Sequence, residues 1–179
     1  KTDIGRAVNI ASRNIDITAQ NKVDNGMTKD SGHNVKFATG GLFGSVNGSW
    51  SKTDITTDTD IAIGNDVAIT QLGNQSDPGL FSITGHNTVN SVEKTKLSTG
   101  SMVAGAYTLT EIDAHDSIDL TIGAGARLRS LGDMTLSAGT DTDIYAISET
   151  NLWGLVGIAA DPAANAYLTS NKTIDIAAD

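Results

Sequence analysis

Histidine is the side chain in this sequence best suited to proton transfer near neutral pH, and it occurs three times. Two of the histidines lie in the same tripeptide, Gly32-His33-Asn34 and Gly85-His86-Asn87, and the third is His115. Catalysis needs partner groups, yet the chain contains no adjacent pair of aspartates. We therefore interpret the repeated tripeptide as a structural corner and predict that the chain is not an enzyme and has no catalytic residue.

Alternating acids form a second group with potential chemistry. Thr57-Asp58-Thr59-Asp60 and Thr140-Asp141-Thr142-Asp143 repeat the same residue types, and alternate residues of a strand point to one face. Carboxylates are the hard oxygen ligands that Ca²⁺ prefers. Neither run has the Asp-x-Asp-x-Asp-Gly spacing of an EF-hand, so we favour a solvated acidic face. Asp58, Asp60, Asp141 and Asp143 remain calcium candidates, and no other cofactor is expected.

Aromatic side chains form the third group and make up only 4% of the chain. Trp50 and Tyr107 fall at matching positions when residues 46–55 are aligned with residues 103–112. Aligned rings can stack on sugars when they are exposed, or fill a core when they are buried. We favour packing, and we keep Trp50 and Tyr107 as candidates for a binding surface.

The elements that must position these residues repeat along the chain. Asp60-Ile61-Ala62-Ile63-Gly64 returns as Asp119-Leu120-Thr121-Ile122-Gly123, with apolar residues at every second position. This alternation predicts half-buried strands, and no window shows the apolar stripe of an amphipathic helix. Repetition over tens of residues is typical of solenoids. We therefore predict an all-β chain folded as a parallel β-helix, right-handed by the general preference of crossover connections.

Three repeat units are predicted, about residues 14–65, 66–132 and 133–179, with residues 1–13 as the tail of another unit. If a rung takes about 20 to 25 residues, each unit supplies two to three rungs. Residues 1–179 would then form a single β-solenoid segment. Because residues 1–13 resemble the end of a unit, we expect this segment to belong to a longer repeat protein.

Charge and composition argue against several functional classes. The net charge of −9 and the pI near 4.6 are unfavourable for nucleic-acid binding, which depends on clustered Lys and Arg. The longest apolar run, residues 152–160, is too short for a membrane-spanning helix. Cysteine is absent, so the chain cannot contain the disulfide framework that staples many small secreted domains.

The repeat pattern resembles the β-helical repeats of large bacterial exoproteins, the filamentous-haemagglutinin-like and leukotoxin-like filamentous adhesins. The resemblance is carried by Gly132-Asp133-Met134-Thr135-Leu136-Ser137-Ala138, Gly40-Gly41-Leu42-Phe43-Gly44-Ser45-Val46 and Ile118-Asp119-Leu120-Thr121-Ile122-Gly123-Ala124-Gly125-Ala126. It implies a secreted, extracellular or cell-surface rod that serves cell adhesion or builds a filament, without catalysis.

The resemblance also implies the partners, which are neighbouring copies or adjacent repeats joined end to end, and glycans of host or cell surfaces. One alternative stays open. A β-helix protein that binds or cleaves extracellular polysaccharide would show the same strand pattern, and the separation of its carboxylates cannot be inferred from sequence.

Overall fold

The fold is that of a computed structural model, in which residues 1–25, 32, 35–74, 76–155 and 158–177 are described. His33 and Asn34 of the first Gly-His-Asn tripeptide lie outside these residues. Within the described ranges the regular structure is all strand and no helix is present, as the alternating sequence pattern predicts. Eleven strands occur in the order β1 Thr2–Ile4, β2 Asn9–Ser12, β3 Ile15–Asp24, β4 Val35–Gly40, β5 Ser45–Ile63, β6 Ala68–Gln71, β7 Phe81–Ser101, β8 Ala104–Ile122, β9 Arg127–Arg129, β10 Thr135–Gly154 and β11 Ile158–Ile176.

These strands form three parallel sheets. The first long sheet has the order β1-β5-β8-β11, the second long sheet has β7 between β10 and the two strands β3 and β4, and the short sheet has the order β2-β6-β9. The chain passes through the second long sheet, the first long sheet and the short sheet, and then returns to the second. We call one such circuit a coil. Coils that stack through parallel ladders are compatible with the predicted β-solenoid.

One coil takes about a whole repeat unit. Ile15 pairs with Phe81 (81 − 15 = 66), Ile63 with Ile122 (122 − 63 = 59), and Ser82 with Thr135 (135 − 82 = 53). The prediction of two to three rungs per unit is therefore not confirmed. Its premise of short rungs fails because β5, β7 and β8 run for 19, 21 and 19 residues.

The pairing confirms one sequence repeat and corrects others. Asp60 lies beside Asp119, as the repeated pentapeptide predicts. Gly85-His86-Asn87, interpreted as a corner, instead lies within β7, where its partners in the preceding coil are Ala19, Gln20 and Asn21. The similarity of Asn14-Ile15-Asp16-Ile17-Thr18 to residues 66–70 does not reflect pairing either, because residues 68–71 belong to the short sheet and pair with residues 9–12. Alternating polar and apolar residues look alike in all three sheets, which explains these errors.

The true corner recurs after three strands of the first long sheet, β1, β5 and β8. Ala7, Asp66 and Gly125 have φ angles of 57°, 57° and 70°, a left-handed conformation in which only glycine is unstrained. The amide of Ala7 donates to the carbonyl of Asn65 at 3.0 Å, and the amide of Asp66 donates to that of Ala124 at 3.0 Å. The corners are thus stacked by backbone hydrogen bonds.

The core lies between the two long sheets. At the corner end, a large apolar cluster is closed by the short sheet and includes Ile61, Ile69, Phe81, Ile83 and Leu120, each at most 1% exposed. A smaller cluster, Ile55, Val89, Ile112 and Ala114, lies further along the long strands. Polar side chains are buried between these clusters and beyond the smaller one, so the interior becomes polar with distance from the corner.

A pair of engineered cysteines tests the coil length, because the chain has no cysteine of its own. Ala62 and Thr121 are paired in register, and parallel neighbours about 4.8 Å apart are within reach of a disulfide. We expect Ala62→Cys with Thr121→Cys to form an intramolecular disulfide on oxidation, measured by mass spectrometry after thiol blocking.

The control pair is Ala62→Cys with Tyr107→Cys, on the same two strands but roughly 45 Å apart along them. This pair should remain reduced. Cross-linking of the control, or none in the paired variant, would refute a coil of 59 residues between these strands (121 − 62 = 59).

Candidate functional site

The structure keeps the two runs of calcium candidates apart. Asp58 and Asp60 point outward from β5 on the first long sheet, whereas Asp141 and Asp143 point outward from β10 on the second. The two sheets pack through their inner faces, so the acid runs lie on opposite outer surfaces of the coil. Among the described residues, no group of three or more His, Asp or Glu side chains is placed to hold a metal ion.

The described histidines do not converge either. His86 lies on the second long sheet with Nε2 3.2 Å from Oδ2 of Asp141, and His115 lies on the first with Nε2 3.3 Å from Oδ1 of Asp113. Each is a surface pair of one imidazole and one carboxylate on its own sheet. A triad or dyad mechanism needs further groups around the same reacting atom.

Trp50 and Tyr107 are both on the outer face of the first long sheet, and they are 64% and 43% exposed. The expectation that they fill the core is therefore wrong. They are also not equivalent, because Trp50 pairs with Leu109 while Tyr107 pairs with Gly48. The sequence alignment was offset by two residues, a shift that keeps the outward direction of both rings. A position two residues away in a strand faces the same side, so a pattern of alternation cannot detect such an offset.

Sequence reasoning did not identify the end of the coil opposite the corner as a surface. There the chain reverses from the second long sheet to the first, and the turns carry exposed apolar side chains. We define the apolar tip as Leu42, Phe43, Met102, Val103 and Leu155. Their side chains are 76%, 76%, 43%, 51% and 84% exposed, respectively. The signal in the sequence is the adjacent apolar pairs Leu42-Phe43 and Met102-Val103, which interrupt the alternation of the strands.

Trp153 extends this apolar surface onto the second long sheet. Its side chain is 74% exposed, and it pairs with Gly100, which leaves the ring without a lateral neighbour at that position. Ala38, Ser98 and Gly100 line a shallow open groove beside Trp153. Small side chains beside one large ring form a platform on the outer surface.

A different kind of surface lies at the end of the stack of coils. Within the described residues, β11 pairs only with β8, so its other edge has no strand beside it. Leu168, Ile174 and Ile176 point toward the core in register with Ala114, Leu120 and Ile122, yet they are 45%, 42% and 59% exposed. We define the stack end as β11 with these three half-covered side chains.

The most unusual ionisable group is inside the coil rather than on a surface. The carboxylate of Asp116 is fully buried and accepts hydrogen bonds from Thr57 Oγ1 at 3.0 Å and Ser170 Oγ at 2.7 Å. Thr140 Oγ1 and Asn87 Nδ2 also donate to it, and the ammonium of Lys172 lies 3.6 Å away. Two of these donors, Thr57 and Ser170, occupy the same register position in the neighbouring coils.

These contacts make Asp116 a structural tie inside the coil. Burial by itself would raise the pKa of Asp116, but the hydrogen bonds from Thr140, Asn87, Ser170 and Thr57 outweigh it and lower the pKa below the ordinary value. The carboxylate thus stays charged and has its acceptor positions filled. It ties both long sheets and three successive coils together.

Comparison with known proteins adds no family or function, because no protein-family model, no curated protein and no solved structure matches this chain. The described residues form no helix that is long and apolar enough to cross a bilayer. The geometry therefore offers two candidate functional surfaces, the stack end and the apolar tip, together with the aromatic rings beside the tip.

Replacing Asp116 by Asn tests its role as a buried tie. Asp116→Asn keeps the shape but puts an amide donor among donors, so we expect a loss of about 1–3 kcal/mol in the free energy of unfolding at neutral pH. The pKa of Asp116 is lower in the folded than in the unfolded protein. The contribution of its carboxylate to the free energy of unfolding is therefore fully present above the unfolded pKa, and it is lost as the pH falls through the folded pKa.

Urea unfolding from about pH 7 down to about pH 2 should show the variant and the wild type converging in acid. The matched control is Asp119→Asn, an exposed aspartate on the same strand, whose effect should stay within about 0.5 kcal/mol. Equal losses for both variants would show that the buried network contributes no particular stability.

Proposed function

We propose that this chain is a non-catalytic structural and adhesive segment of a bacterial cell-surface or secreted exoprotein, in which stacked coils build a rod or filament. The observation that carries the proposal is the stack end. Its partners would be neighbouring copies or adjacent repeats of the same protein. The proposal includes a right-handed coil, because crossover connections between parallel strands are right-handed in nearly all proteins.

The stack end has what a further coil requires. β11 follows β8 in register over 19 residues, so its free edge presents the same spacing of backbone donors and acceptors that β8 presents to β11. Leu168, Ile174 and Ile176 already lie at core positions, and another coil would cover their exposed parts. Removing apolar surface from water contributes about 25 cal/mol per Å². An uncovered edge with apolar side chains in register is a template for strand addition.

Two residues of β11 limit where the contact forms. Pro162 has no amide hydrogen to donate, and Lys172 places an ammonium at an inward position next to Asp116. Inward charges on an edge strand oppose pairing with other chains. The proposed contact is therefore concentrated on Leu168, Ile174 and Ile176 rather than spread evenly along β11.

The non-catalytic part of the proposal is supported by the positions of the ionisable groups. The acid runs lie on opposite outer surfaces, and His86 and His115 lie on different sheets. The buried carboxylate of Asp116 is enclosed by donors. An extracellular location follows from the resemblance to filamentous exoproteins and is part of the same proposal.

Substitution at the stack end tests assembly. Ile174→Lys places a charge on the surface that stacking would bury, whereas the half-exposed position lets the long side chain reach water in the single segment. We expect negative-stain microscopy to show end-to-end filaments for the wild type and short isolated particles for Ile174→Lys.

Thr173→Lys is the matched control, because Thr173 is adjacent on the same strand but points outward beside Asp119. It should form filaments like the wild type. Short particles for the wild type at high protein concentration would overturn the filament proposal.

Carbohydrate binding is the second candidate function, and the exposed rings of Trp50 and Tyr107 favour it. Both lie on the outer face of one sheet, 64% and 43% exposed, where a sugar ring could stack on them. Only the binding form of this alternative has an observation in its favour. The partners would be glycans of host or cell surfaces.

Screening surface oligosaccharides by calorimetry tests this alternative. If one binds, Trp50→Ala should weaken its affinity on the order of tenfold, the value of one lost stacking contact. Leu72→Ala, which changes an exposed apolar residue elsewhere, is the control and should leave the affinity unchanged. Equal affinities for the wild type and Trp50→Ala would exclude Trp50 as a sugar platform.

A further inference from the structure

The apolar tip contains several of the most exposed large apolar side chains among the described residues. Leu42 and Phe43 are each 76% exposed and Leu155 is 84% exposed, in turns at the same end of successive coils. Because these turns are stacked, the side chains form one edge that runs along the stack. Contiguous exposed apolar surface of this kind marks an interaction site.

Side-chain types change in order with distance from this edge. The turns themselves carry Leu, Phe, Met and Val, and the amphipathic rings of Trp153 and Tyr107 come within four residues of a turn. Lys36 and Lys96 lie further back on the second long sheet, where Lys96 is paired with Glu149, and Trp50 lies at a similar distance from the turn on the first long sheet. Proteins that contact a bilayer interface have aliphatic residues at the deepest position, then Trp and Tyr, and then Lys.

Charge is also distributed unevenly between the two ends of the coil. The half that ends in the tip, residues 35–52, 93–111 and 146–165, contains four lysines and four acids, and is neutral. The rest of the chain contains 12 − 4 = 8 basic and 21 − 4 = 17 acidic residues, and so carries the entire net charge of −9. A neutral apolar edge opposite an acidic end suits an uncharged apolar phase and gives no attraction to anionic lipids.

From these observations we infer that the apolar tip inserts into the interface of a zwitterionic lipid bilayer, with Leu42, Phe43 and Leu155 reaching the acyl chains. Trp153 and Tyr107 lie at the level of the headgroups. The coil then stands on its tip edge, and the acidic end projects away from the membrane. This contact does not span the bilayer.

The shape of the tip favours a bilayer over a second copy of the chain. The tip is convex because it consists of chain reversals, so two tips would touch only along a line. Three coils about 4.8 Å apart give an apolar area on the order of a few hundred Å², less than the roughly 800 Å² per partner of a stable protein interface. A fluid interface adapts to a convex edge and needs no complementary surface.

Tryptophan fluorescence measures this contact directly, because both tryptophans of the chain lie in the tip half. With phosphatidylcholine vesicles we expect a blue shift of the emission, quenching by brominated acyl chains, and flotation of the protein with the lipid. Trp153→Phe should remove most of the shift and Trp50→Phe little of it, because Trp153 is two residues from Leu155 whereas Trp50 is seven residues from Phe43.

The double variant Leu42→Ser with Phe43→Ser should weaken vesicle binding on the order of tenfold or more, since two large side chains no longer leave water. These side chains are mostly exposed, so circular dichroism and the unfolding midpoint should not change. Leu72→Ser, an exposed leucine outside the tip half, is the matched control and should bind vesicles like the wild type.

Three results would overturn the inference. One is the absence of a lipid-dependent shift, and another is equal vesicle binding by the Leu42/Phe43 double variant and the wild type. The third is a shift of the emission that appears without lipid. A shift with rising protein concentration would assign the tip to a second copy of the chain, and a shift with oligosaccharide would assign it to the carbohydrate alternative. The inference does not require the rod proposal, since Ile174→Lys should still bind vesicles as single segments, although without the gain in affinity that assembly along the axis would give.

Discussion

The parallel backbone ladder between successive coils is the constraint on which the rest of this structure depends. Because each strand lies in register with the strand one coil away, a side chain that points inward has an inward neighbour above and below it. Asp116 shows the consequence most clearly. A carboxylate in the middle coil stays buried only because the residues stacked on it are small hydroxyl donors, Thr57 and Ser170, and because Asn87 and Thr140 face it from the other sheet. The ladder thus dictates which polar groups the interior can hold.

The same ladder determines where large side chains go. The space between the long sheets is filled by Ile, Val, Ala and Thr, and Phe81 is the only aromatic residue of the described chain in the buried core. It lies in the cluster that the short sheet closes, where the interior has room for a ring. The rings of Trp50, Tyr107 and Trp153 point outward from the long sheets instead. The low aromatic content and the exposed rings are therefore two results of one narrow core.

Much of the fold could be predicted from the sequence, because alternating polar and apolar residues indicate strands. In addition, Asp60-Ile61-Ala62-Ile63 and its repeat have apolar residues at matching positions, as stacked strands do. The coil length could not be predicted, since Gly85-His86-Asn87 contains the residues of a turn but lies in a continuous strand. Of the candidate sites, the sequence correctly separated outward acids from inward apolar residues. It missed Asp116, because nothing in Ala114-His115-Asp116-Ser117 shows that four donors converge there from four other strands.

The two proposed surfaces are perpendicular to each other, and this geometry couples them. The stack end lies across the axis of the coils, whereas the apolar tip runs along that axis. Each coil added at the stack end brings one more turn, so the apolar edge lengthens without a change in its cross-section. A single short edge binds a bilayer weakly, but several edges held in line bind as one multivalent unit. Assembly along the axis would therefore increase membrane affinity without any new contact, and the acidic ends of all coils would remain on the side away from the lipid.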